Sequence, residues 1–121
     1  MSSFESVLET IMSLETRFSR EAYVFVQMAM EYYRAKYGAE EQKHLTGQEL
    51  LMGLRELALE QFGPLAPQVL NHWGLFRGED VGDIVYLFLD YGIMKKNEED
   101  QKEDFAGFME FNEDMGKEYR W

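Results

Sequence analysis

The chain has 121 residues, 45% of them apolar and 15% aromatic, which suits one packed domain. Twelve basic against 23 acidic residues leave a formal charge of −11, which argues against duplex nucleic acid and anionic membranes as partners. Cysteine is absent, so disulfides, thiol nucleophiles and thiolate metal sites are excluded.

No apolar run reaches the ~18–20 residues of a bilayer span. The opening MSSFESVLET has neither the basic nor the apolar part of a secretory leader. The expectation is therefore a soluble, cytoplasmic, single domain over 1–121. It divides into a helical pair at 3–37, a helix-helix-helix-hairpin unit at 46–111 and a tail at 112–121.

Phe4, Val7, Leu8, Ile11, Met12 and Phe18 recur at helical spacing, and Ser2 with Glu5 reads as a capping box. A first helix is predicted over 3–17. Ser19 is placed as the N-cap of a second helix over 20–37, closed by Gly38. Along it, Tyr23, Val26, Met30, Tyr33 and Tyr37 form one stripe, while Val24, Phe25, Met28, Ala29 and Tyr32 lie on other faces. A helix apolar on most sides is either central to a core or part of an interface. Residues 39–45 read as a polar linker. Thr46 and Glu49 form a second capping box. They open a third helix with Leu50, Leu51, Leu54, Leu57, Ala58, Gln61 and Phe62 on one face, stopped by Gly63 and Pro64. A short fourth helix is predicted over 65–73, with Val69, Leu70 and Trp73 inward and Gly74 breaking it. A fifth runs over 79–91, its first turns loaded with Glu79, Asp80 and Asp83, to the benefit of its dipole. In the last thirty residues, Phe105, Gly107, Met109 and Phe111 alternate with Ala106, Phe108 and Glu110, which predicts a β-hairpin of 92–96 with 105–111. A short helix from Glu113 ends near Trp121.

These elements add up to a mainly helical α+β domain of about five helices with a small C-terminal hairpin. The order of elements in 47–111 is similar to a winged helix, with 95–104 as the wing tip. Its recognition helix would carry Glu79, Asp80, Asp83 and Asp90 and no basic residue, so phosphates would be repelled.

Catalytic patterns are sparse. His44 and His72 stand apart with no zinc-ligand spacing, and a metal site would need His72 joined by Glu79, Asp80 or Asp83. Carboxylate pairs such as Glu40/Glu41 and Glu98/Glu99 fall in loops or at helix starts, where water keeps both ionised. No G-x-S-x-G, Walker or G-x-G-x-x-G pattern occurs. What stands out is aromatic and Met content on helices. Tyr32, Tyr33, Tyr37, Trp73 and Trp121 are the candidate partner-contact residues, because large rings with a polar edge favour interfaces.

The stretches HLTGQELLMGLRELALEQFG (44–63), VLNHWGL (69–75), DVGDIVYLFLDYGIM (80–94) and DFAGFMEF (104–111) resemble an uncharacterised family of conserved bacterial proteins of planctomycete and verrucomicrobial type. FESVLETI (4–11) and EAYVFVQMAMEY (21–32) fit as well. The resemblance implies a self-contained bacterial domain and lends no catalytic residue, cofactor or metal. The functional expectation is a non-enzymatic protein-interaction or regulatory module that binds a protein partner or itself. The alternatives are a winged-helix nucleic-acid regulator and a small metal-assisted enzyme built on His72 and nearby acids.

Overall fold

Five α-helices and one 3-10 turn make up the computed structural model over its described residues, 3–38 and 46–91. They are α1 (Ser3–Leu14), α2 (Arg20–Tyr37), α3 (Gly47–Phe62), the 3-10 turn (Gly63–Leu65), α4 (Ala66–His72) and α5 (Gly78–Asp90).

Local chemistry sets most of these bounds. At the start of α3, Thr46 Oγ1 accepts from the Glu49 amide at 3.1 Å while Glu49 Oε1 accepts from the Thr46 amide at 2.9 Å. Two orphan donors of the first turn are thereby satisfied. Replacing Thr46 by Ala is expected to cost about 1 kcal/mol. The check is a lower urea midpoint at an unchanged slope of free energy against denaturant.

The first helix is shorter than predicted. It ends at Leu14, and Phe18 reaches the core from the turn that follows rather than from the helix. Ser19 does hold the N-cap position of α2, but its side chain makes no cap hydrogen bond. Its backbone amide donates instead to the Trp73 carbonyl at 3.1 Å, so a tertiary contact anchors the helix start. Of the Ser2/Glu5 box, Ser2 lies outside the described residues, and Glu5 accepts both its short bonds, 2.6 Å, from Arg20 Nη2.

Helix α2 lies at the centre. Ala22, Tyr23, Val26 and Ala29 are fully buried, against Leu8 and Ile11 of α1, Leu51, Leu54 and Ala58 of α3, and Ile84 and Phe88 of α5 in one continuous core. A chain of rings stitches α1, α5, α2 and the first turn together. Phe4 meets Phe88 at 6.3 Å, Phe88 meets Tyr23 at 6.2 Å, and Tyr23 meets Phe18 edge-on at 5.9 Å. Helices α2 and α3 approach closely at Gly53, where an added Cβ would stand 2.9 Å from both the Ala29 carbonyl oxygen and Tyr33 Cβ.

The α+β expectation is corrected. The described residues contain helices and turns and no strand. The physical reason is that the apolar faces of α1 to α5 close on one another, with Leu70, Leu75, Val81 and Ile84 fully buried, and need no sheet to cover them. The winged-helix likeness of 47–111 falls with it. The face of α5 that would read DNA grooves is partly an acidic N-terminus tied to Arg17, and its other face is core. The hairpin of 92–96 with 105–111, the helix from Glu113 and Trp121 lie outside the described residues.

Candidate functional site

A groove of about 400 Å³ runs along the outer side of α2, bounded by the end of α3 and the C-cap of α4. Its floor is a triad of rings. Phe25 meets Trp73 at 5.4 Å and Phe62 at 5.8 Å, and Phe62 meets Trp73 edge-on at 5.8 Å. Val24 and Met28 flank the triad, and Met28 is 39% exposed. Arg20, Glu21 and Gln61 supply the polar rim.

Each part is positioned by the fold. Val24, Phe25 and Met28 are one helical face, spaced i, i+1, i+4, opposite the Tyr23–Val26–Met30 stripe that faces the core. Trp73 sits where α4 stops. Its amide donates to the Val69 and Leu70 carbonyls, and its own carbonyl accepts from Ser19. The next residue, Gly74, has φ +97°, and an added Cβ there would lie 2.4 Å from the Arg17 carbonyl oxygen. The main chain thus presses against the α1–α2 turn and holds the indole over Phe25.

A second surface joins the end of α2 to the outer face of α3. Tyr33 and Tyr37 stack at 4.6 Å between centroids. The Tyr37 hydroxyl donates to Glu56 at 2.8 Å, Lys36 Nζ pairs with the same carboxylate at 2.9 Å, and the Tyr32 hydroxyl donates to Glu60 at 3.2 Å. Partial burial pushes the Glu56 carboxyl up, but the Lys36 and Tyr37 donors outweigh it and hold the group below its ordinary value. The same contact raises Lys36 and Tyr37, while Tyr33 is raised first by burial and then by Glu49.

Among the candidate contact residues, then, Trp73 lies in the groove. Tyr32, Tyr33 and Tyr37 form a separate cluster whose hydroxyls face carboxylates of the same chain. Of the residues that join Trp73, Phe25 and Met28 were legible only as positions on the other faces of the second helix, and Phe62 as part of the apolar face of the third. The acids near His72 have structural partners. Asp80 Oδ2 accepts from the Phe76 and Arg77 amides at 2.8 and 3.1 Å, capping α5. Arg17 Nη2 donates to Asp83 at 2.6 Å and to Asp80 at 3.3 Å. His72 is exposed, and among the described residues no three His, Asp or Glu side chains gather to hold a cation. Nor is any charged residue buried among them. Among the described residues, no helix is long and apolar enough to cross a membrane. Comparison with protein-family models, with curated proteins and with solved structures finds no match for this chain.

Proposed function

We propose that the protein is a non-enzymatic, cytoplasmic interaction module whose partner inserts apolar side chains into the α2–α3–α4 groove. The observation that carries this reading is the ring floor of Phe25, Phe62 and Trp73 beneath a part-exposed Met28. At about 400 Å³ the groove falls in the usual range of binding concavities, roughly 300–1,000 Å³. Its rim offers one arginine, one glutamate and one glutamine, a sparse polar set that suits orientation of an apolar anchor. Methionine adds an adaptable wall, because its unbranched thioether repacks around different shapes. Membership of the uncharacterised bacterial family is part of the same proposal and rests on the residues quoted for it.

Selection from a displayed peptide library tests the reading. Enriched peptides are expected to carry large apolar anchors and to lose at least tenfold in affinity on Met28→Glu. They should bind Met52→Glu as they bind the natural chain, since Met52 is exposed on α3 and does not line the groove. No enrichment, or equal binding by all three proteins, would refute the proposal.

A further inference from the structure

Resting on the groove as an interaction site, we infer that its occupant is a cationic amphipathic helix from another protein. Two observations select that chemistry. The first is charge. The chain carries −11, and a groove-rim cation, Arg20, is already held by both oxygens of Glu5 at 2.6 Å. Arg20, Glu5 and Glu21 together leave the entrance one charge negative. Farther out, Arg17 pairs with Asp83 and Lys36 with Glu56, so these cations present little free positive charge to an incoming ligand. A partner with lysine or arginine on its polar face meets a complementary field, whereas a second copy of this chain meets its own −11.

The second observation is shape. The lining takes in more than two turns of α2, from Arg20 to Met28, with Phe62 and Trp73 completing the ring floor. An open trough beside a helix accepts a row of anchors spaced i, i+3, i+4 and i+7, the pattern one helix face presents. A peptide added as a β-strand would need an unpaired strand edge, and the described residues contain no strand.

Two synthetic peptides of about 18 residues, long enough for roughly five helical turns, supply the test. Both carry Leu and Phe at i, i+3, i+4 and i+7. One has Lys on the remaining face and the other Glu. Fluorescence anisotropy with the full chain should show the Lys peptide binding at least tenfold tighter than the Glu peptide. The preference should shrink as salt rises from about 50 to about 200 mM, because screening shortens the reach of the rim charges. Met28→Arg should weaken the Lys peptide at least tenfold, and Glu21→Lys several-fold. Asp90→Lys, the same change of two charges at an exposed position away from the groove, should change it less than twofold. Equal effects of Glu21→Lys and Asp90→Lys would reduce the attraction to overall charge and overturn the inference. So would equal or tighter binding of the Glu peptide, although library-selected peptides that still depend on Met28 would keep the groove as the interaction site. Light scattering covers a second copy as occupant: a dimer abolished by Met28→Arg overturns the inference. Tenfold tighter peptide binding after Phe105→Ser with Phe108→Ser, which leaves the charge unchanged, overturns it too, by assigning the groove to the chain's own C-terminal stretch.

Discussion

Replacing Gly74 by Ala is expected to remove about 3 kcal/mol or more of stability, a large share of the roughly 5–15 kcal/mol available to a domain of this size. Two penalties coincide there. A φ of +97° is a backbone conformation that side-chain-bearing residues adopt only at a cost of about 1–3 kcal/mol. The added Cβ also meets the Arg17 carbonyl oxygen at 2.4 Å and Phe18 Cα at 3.3 Å. Both are main-chain atoms, so no rotamer change relieves the clash. Relief requires the α4–α5 turn to draw away from the α1–α2 turn, which stretches the Ser19 amide to Trp73 carbonyl bond. Gly38→Ala is the matched control, because Gly38 has φ +71° but no described residue within 4 Å of a built Cβ. It carries only the dihedral penalty, about 1 kcal/mol. Urea unfolding of the two variants separates the terms. A Gly74→Ala protein no less stable than Gly38→Ala would show that the turn is not packed as described. Since Trp73 is displaced with the turn, Gly74→Ala should also weaken binding in the groove.

Tyr23→Phe is expected to stabilise the protein by about 1 kcal/mol at neutral pH, and by more in alkali. Tyr23 is fully buried, and its hydroxyl finds no hydrogen-bond partner among the described residues. Deleting such a group removes a desolvation cost and leaves the ring contacts with Phe18 and Phe88 in place. Burial, with Glu15 adding and Arg17 subtracting, pushes the phenol up to about 12. Unfolded, the same phenol titrates near 10. Below that pH both states hold the proton and stability is at its full value. Above it the unfolded chain releases a proton that the folded chain retains, so stability falls as pH rises through the folded value. The integrated loss from this one group is on the order of 2–3 kcal/mol. Parallel unfolding curves of the natural chain and Tyr23→Phe between about pH 8 and 11.5 isolate it, because the other tyrosines and lysines titrate alike in both proteins. A gap in stability that stays constant with pH would mean that water reaches the hydroxyl.

Several features of this fold are visible along the linear chain because they depend on neighbours within one helical turn. The bounds 20–37 of α2, the αL cap at Gly38 and the Thr46/Glu49 box are of this kind. Dihedral preference and the orphan amides of a first turn act at i to i+4, so residue order alone exposes them. Helical periodicity also shows which faces are apolar. It does not show what covers each face. Tyr23 and Phe25 are both buried aromatic positions on α2, yet one packs on Phe18 and Phe88 and the other lies under the groove with Phe62 and Trp73. Asp80 and Asp83 read as candidate metal ligands until the fold brings Arg17 against them from the far end of the sequence. The alternation at 105–111 suggested a strand, and with it an α+β class. The described helices complete their core among themselves without one. Contacts between distant residues follow from how five apolar faces share a single interior. That partition is a property of shape and volume in three dimensions, and no spacing rule along the chain encodes it.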